Sequence, residues 1–217
     1  MNNIKNILII SGWFPNEFEP VKGIFIKKIV EAQLRYTKCT LTVVCPVPYF
    51  PKINFSFIPS KFKKYSKIKY CYLNNEYKVY YPKYFKLPSP LSDKIDWYSF
   101  YKSVLKTIKK EKIEFDIIHS HGLFPDSYSA ALISEQYHKP LIVHLHDSFL
   151  NLIYNKYPKQ INYILKTMVK VLPVSHFQAK TFLNTVNQTD IINKISVVYN
   201  GVDLNVFKTI TEIENKS

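Results

Sequence analysis

Short apolar runs alternate with helical periodicities along this chain. Ile7-Leu8-Ile9-Ile10 is a continuous apolar run ending in Ser11-Gly12, the pattern of a strand buried on both faces. From Ile24 to Tyr36 the spacing turns helical, with Ile26, Ile29, Val30 and Leu34 along one side. Leu41 to Val44 reads as a second strand, stopped by Pro46 and Pro48. Between Tyr49 and Pro90 helical patterning is poor. There Tyr70–Leu73 and Tyr77–Tyr81 read as paired strands around Asn74-Asn75.

Regularity returns with a helix over Ile95–Ile113, which carries Trp97, Tyr101, Val104, Leu105 and Ile108 on its apolar side and lysines in its last turn. Asp116-Ile117-Ile118-His119 is a strand, Pro125–Tyr137 a helix and Pro140–His146 the next strand. Asn151–Lys166 is helical with a break at Pro158, and Val169–Val174 is a further strand. Ser175 is placed to cap a helix running through Leu183, and Ile195–Tyr199 is a last strand before the Asn200-Gly201 turn. This order predicts an α/β fold, a Rossmann-like open and mainly parallel sheet with helices on both faces. Ligands of such sheets settle at the C-terminal strand ends. Ser11-Gly12, His119, His121, His146-Asp147, Ser175-His176 and Asn200-Gly201 all fall there.

Composition narrows the chemistry. With 217 residues and 47% hydrophobic content the chain can bury a core. Four glycines in all leave no Walker loop and no dinucleotide fingerprint. Three cysteines without metal spacing make no disulfide framework and point to a reducing compartment. No segment reads as a signal peptide or membrane span, so the expected location is cytoplasmic, including the inner face of the cell membrane. The net charge of +14 rests on lysine, since Arg35 is the one arginine, and the abundant Ile, Asn and Tyr point to a general compositional bias. One arginine offers little bidentate base reading, which argues against nucleic acid as partner. Ten of the fourteen net charges lie in residues 61–112, interleaved with Tyr, Phe and Trp. That pattern suits an anionic membrane surface or a lipid-phosphate acceptor, and it equally suits a solvated face in a lysine-biased protein.

Several residues could carry chemistry. Gly23, just before the Ile24 helix, could let backbone N–H groups approach an anion or sugar, or could simply begin the helix. Glu17 and Glu19 in the same loop could accept hydroxyl protons from a sugar, or be solvated loop acids. The alternation His119/His121 and His144/His146 puts each pair on one face of an extended segment. Imidazoles at adjacent strand ends can converge on zinc, but no thiolate or carboxylate completes a ligand set, so no metal is expected. His146, where its strand ends, is the strongest single ligand-binding candidate.

Ser11-Gly12-Trp13-Phe14-Pro15 through Gly23-Ile24-Phe25, Asp116 to Gly122, Pro140 to Asp147, Val174-Ser175, and Val198-Tyr199-Asn200-Gly201-Val202-Asp203 with Phe207 together resemble the glycosyltransferase family 4 group of GT-B enzymes. The resemblance implies the N-terminal, acceptor-side half of a two-domain retaining glycosyltransferase. That half would occupy residues 1–199, with residues 200–217 the junction to a C-terminal domain. It implies a nucleotide-sugar donor, no cofactor, no essential divalent metal, and a glycan or lipid-linked acceptor. His146 would position the donor sugar as the catalytic residue, with Gly23 near the donor phosphates. His119 and His121, with Glu17 and Glu19, would line the acceptor side. His144, Asp147 and Phe149 depart from the family's usual threonine, glycine and aspartate, a difference that bears on substrate preference more than on fold. The family's nucleotide-sugar half lies outside these residues, so the chain is expected to be inactive without that domain or a separately encoded partner, because the charges that stabilise a departing diphosphate belong mainly to it. The competing expectation is a non-catalytic module that binds sugar or anionic lipid.

Overall fold

The computed structural model describes residues 5–49, 64–73, 76–86, 92–188, 190–202 and 204. Its strands are β1 (Asn6–Ile10), β2 (Thr40–Val44), β3 (Val47–Tyr49), β4 (Cys71–Leu73), β5 (Lys78–Tyr80), β6 (Lys83–Phe85), β7 (Ile117–His121), β8 (Leu141–Leu145) and β9 (Lys170–Pro173). The helices are α1 (Ile24–Tyr36), α2 (Ser92–Lys110), α3 (Tyr128–Tyr137), α4 (Leu150–Lys156), α5 (Pro158–Thr167) and α6 (His176–Val186). A seven-stranded sheet has the order β4-β5-β2-β1-β7-β8-β9, and only the β4–β5 pair is antiparallel. The strand order therefore turns around at β1, which is flanked by β2 on one side and β7 on the other.

Period-two alternation divides the central strands between two cores. Leu8, Ile10, Ile118 and Val143 pack with Phe100, Val104 and Ile108 of α2 and Ile133 of α3. Ile9, Leu41, Val43 and Val79 face the other way, onto Ile26 and Val30 of α1. Burial on both faces explains why these strands read as unbroken apolar runs rather than alternating ones.

Several elements differ in extent from the pattern. The helix expected over Ile95–Ile113 runs from Ser92 to Lys110, and the one expected from Pro125 begins at Tyr128, after an irregular wide turn over Leu123–Ser127 in which Phe124 is extended. The break at Pro158 separates α4 from α5; a proline that opens a helix loses no hydrogen bond. Ser175 does cap α6, its Oγ accepting from the Gln178 N–H at 3.1 Å, and α6 continues to Val186. The last strand expected, Ile195–Tyr199, forms only an isolated parallel bridge with Val171. The Ser196 and Val198 N–H groups reach the Val171 and Pro173 carbonyls, but Pro173 has no N–H to return the next bond.

Two contacts shape the loop after β1. Gly23 caps α1 in the left-handed region (φ 66°), with the Trp13 backbone folded against it. A Cβ there would sit 2.6 Å from the Trp13 carbonyl oxygen. Asp126, buried beyond β7, accepts the Gly12 N–H through Oδ1. Burial pushes its carboxyl up to about 7, and the Gly12 bond opposes that only in part.

Gly23→Ala combines a positive φ with a backbone clash and should cost about 2–4 kcal/mol. Gly201→Ala, whose added Cβ meets nothing within 4 Å among the described residues, should change stability by less than about 0.5 kcal/mol. Urea denaturation of the pair checks both, and equal midpoints would refute the Gly23 constraint. A carboxyl raised above its unfolded value contributes stability that is complete below the unfolded value and is lost as pH climbs through the folded one. Asp126→Asn keeps an acceptor for Gly12 and removes that loss. The variant should therefore gain about 1–3 kcal/mol on the parent between pH 4.5 and pH 8. A difference independent of pH would show that Asp126 is ionised throughout.

Candidate functional site

The loops after β1, β7 and β8 meet where the strand order turns, around a cleft of about 850 Å³. Gly12 and Trp13 contribute from the first loop, His121, Gly122 and Asp126 from the second, and His146, Asp147 and Phe149 from the third. Phe25 and Lys22, at the start of α1, close one side. Short bonds hold these loops together. The Gly122 N–H donates to the His144 carbonyl at 3.0 Å, and the Leu123 N–H donates to Asp147 Oδ2 at 2.8 Å. Gln178 of α6 donates to the Asp147 carbonyl at 3.1 Å while its Oε1 accepts the Val174 N–H.

The histidines occupy the α1 face of β7 and β8. Parallel register sets His121 beside His144, and His119 one step earlier on the same face. Their rings lie close to one another: His119 and His144 are 5.5 Å apart at 11° between planes, His121 and His146 are 5.3 Å apart at 12°, and His144 and His146 are 4.4 Å apart at 20°. His121 Nδ1 and His146 Nε2 are hydrogen-bonded at 3.0 Å, and His146 packs against the Phe25 ring at 4.6 Å. His119 Nδ1 meets the Gln33 side-chain amide of α1 at 3.3 Å. Burial is the leading cause that lowers all four, His119 and His146 to about 3 and His144 to about 4, with neighbouring imidazoles adding to it for all but His144, where the Val198 backbone acts weakly the other way. At neutral pH the four are uncharged donors and acceptors.

The site residues expected from sequence fall into three groups. His146, His121 and Glu19 line the cleft together. Glu19 Oε2 accepts from the Tyr65 hydroxyl at 2.7 Å and pairs with Lys22 at 3.4 Å, which holds it at the rim rather than free in solvent. His119 lies behind His121, buried against Gln33 and away from the cleft surface, because its strand position comes two residues before the end. Glu17 is exposed in the loop outside the cleft lining. Gly23 shapes the loop without lining the cleft. The cleft also holds a residue that sequence reasoning missed. Asp126 sits in a segment that reads as helix, and its burial beside Gly12 depends on a contact across 114 positions.

Comparison with known proteins fits this geometry. The model of Glycosyltransferase Family 4 matches residues 38–206. A protein of Bacillus subtilis (strain 168), named as a proposed teichuronic acid biosynthesis glycosyltransferase, TuaC, is 29% identical over 174 residues, covering 78% of this chain and 44% of that protein. Among solved structures, a UDP-glucose: anthocyanidin 3-O-glucosyltransferase in complex with UDP aligns with a TM-score of 0.53 at 9% identity, over 100% of this chain and 59% of its own. A UDP-N-acetylglucosamine 2-epimerase from Rickettsia bellii aligns with a TM-score of 0.51 at 12% identity, over 91% and 45%. A transferase and an epimerase share the fold, so the fold alone does not select a reaction. The chain spans about half the length of these relatives. The family model covers well over half of the chain and includes β7, β8 and the cleft histidines, and by that match the chain belongs to Glycosyltransferase Family 4.

Proposed function

We propose that this chain is the N-terminal, acceptor-side half of a nucleotide-sugar-dependent glycosyltransferase. Completed by a C-terminal half, in the same polypeptide or a partner subunit, it transfers a sugar to a glycan or lipid-linked acceptor with retention of configuration. The observation that carries the reading is the convergence of His146, His121, Glu19 and Asp126 on one cleft at the turning point of a family 4 sheet. Sugar hydroxyls both donate and accept, and uncharged imidazoles beside carboxyls offer both kinds of partner. His146 is held by His121 on one edge and by Phe25 on one face, so its orientation is set before a ligand arrives.

The lysine-rich part of the chain fits a second element of the proposal, contact with an anionic membrane surface on the cytoplasmic side. α2 exposes Ile95 and Tyr98, and Lys102 lies over the Tyr98 ring at 5.7 Å. Residues 61–63, 74–75 and 87–91 of the same stretch lie outside the described residues. Among the described residues no helix is long and apolar enough to cross a membrane.

Transfer assays with UDP-sugars and lipid-linked acceptors test the main reading. The chain together with its C-terminal half should turn over, and the product anomer read by NMR should match the donor. His146→Ala in that completed enzyme should lower kcat by roughly 10²-fold. Because it leaves the buried His121 Nδ1 without its partner, it should also cost about 1–3 kcal/mol of stability, so kcat is compared below the variant's unfolding transition. Full activity in His146→Ala would remove His146 from the reaction, and robust turnover by this chain alone would overturn the half-enzyme reading. Liposome sedimentation tests the membrane element. Binding to vesicles containing anionic lipid should fall steeply between 50 and 300 mM salt, as expected for roughly 1 kcal/mol per surface lysine under screening. Equal failure on neutral and anionic vesicles would sink it.

A further inference from the structure

The buried histidines at the back of the cleft and behind it do more than shape it. His119, His121 and His144 are all buried, and each can offer one ring nitrogen within 4.8 Å of the other two. His119 Nε2, His121 Nε2 and both His144 nitrogens have no hydrogen-bond partner of good geometry among the described residues. Buried polar atoms almost always find partners, so unpartnered nitrogens on three neighbouring buried rings call for a ligand. On two of the three rings the opposite edge is occupied in the manner of metal-binding histidines, whose second nitrogen is normally held by a hydrogen bond. His119 Nδ1 meets the Gln33 amide, and His121 Nδ1 meets His146 Nε2. Gln33 Oε1 is itself buried and unpartnered. Turning that amide by half a revolution presents Oε1 to a His119 Nδ1–H and leaves Nε2 with its lone pair free.

We infer that His119, His121 and His144 form a three-imidazole site for a divalent late transition metal ion, zinc being the simplest occupant. An all-nitrogen set of three histidines is sufficient for zinc and leaves a fourth position for water. It suits zinc, copper or nickel and disfavours magnesium and calcium, which take oxygen ligands. Tetrahedral zinc spaces its nitrogen ligands about 3.3–3.4 Å apart, so binding draws these atoms together. The near-parallel His119 and His144 planes must also open, because lone pairs in parallel planes cannot meet at one point. Rotation about the soft terminal torsion of His144 accomplishes this, giving up at most a weak interaction with the Val198 backbone. An ion on His121 Nε2 fixes the proton on His121 Nδ1, which then donates to His146 Nε2. The ion would thereby set the tautomer of His146 in the cleft from behind, without touching the cleft itself. This inference is independent of the transferase reading, because it concerns buried side chains and a bound ion.

Equilibrium dialysis of the chelator-stripped full chain against zinc, with metal analysis, should return one equivalent per chain. His121→Gln and His144→Gln should each weaken that binding about tenfold or more, while His138→Asn and His176→Asn, both outside the cluster, leave it unchanged. Should a cluster variant fail to fold, the unmodified chain still decides. Zinc should move the ring ¹⁵N resonances of His119, His121 and His144, and X-ray absorption should count three imidazole ligands. No retained zinc, or zinc held by His138, His176 or cysteine sulfur, overturns the inference. Magnesium in place of zinc should produce neither effect.

Discussion

Hydrogen bonding of β1 on both edges by parallel strands sets the position of every group in the cleft. Parallel neighbours all end on the same side of the sheet, so the loops after β1, β7 and β8 are delivered to one place whatever their sequences. The order turns around at β1, so the chain leaves in opposite directions from that point and an opening remains between the departing helices. Inside that frame, single hydrogen bonds complete the site: Gly12 to Asp126, Gly122 to His144 and Leu123 to Asp147. Each is worth about 1 kcal/mol net. Their greater effect is that losing one strands a buried donor or acceptor, which costs about 1–3 kcal/mol and lets a loop drift.

The α1 face of the sheet changes character from one side of β1 to the other. β1, β2 and β5 fill it with Ile9, Leu41, Val43 and Val79, whereas β7 and β8 present His119, His121 and His144 at equivalent depth. Aliphatic side chains there would be stabilising without any partner, while unpartnered ring nitrogens carry a desolvation cost of about 1–3 kcal/mol for each group. A core of this size can absorb that cost, but packing gives no reason for it. The positions nearest the strand ends are the ones that depart from apolar packing, as expected when local stability yields to a binding role.

How much of this was legible in the sequence depended on the range of the interaction involved. Ile7–Ile10, Leu41–Val44 and Pro140–His146 announce buried strands through local composition, and the two His-X-His spacings put the imidazoles on one face before any pairing is known. The Ser175 cap and the antiparallel pairing of β4 with β5 are local as well, and both formed, Asn74 and Asn75 lying outside the described residues. β3 and β6 were hidden because Pro48 reads as a strand breaker. In the β3–β6 pair the bonding N–H groups on this side include those of Val47 and Lys86, and the vacant Pro48 nitrogen faces away from the partner. The burial of Asp126 and the retreat of His119 behind His121 come from contacts across more than 80 positions, which no local spacing encodes.

The electrostatics of the cleft bear on how labour is divided in the proposed enzyme. His121 and His146 are uncharged, Asp126 is pushed toward neutrality, and Glu19 is matched by Lys22. The interior of the cleft is thus polar but carries little fixed charge. Such a surface suits a neutral sugar, whose hydroxyls need directed hydrogen bonds and not a counter-ion. A departing nucleoside diphosphate needs the reverse, several preorganised positive groups or backbone dipoles aimed at developing negative charge. The α1 N-terminus supplies little of this, since Gly23 is packed against Trp13 and Glu19 already takes the nearby lysine. On the proposed reading, orientation of the reacting sugars would fall to this half and stabilisation of the leaving group to the C-terminal half.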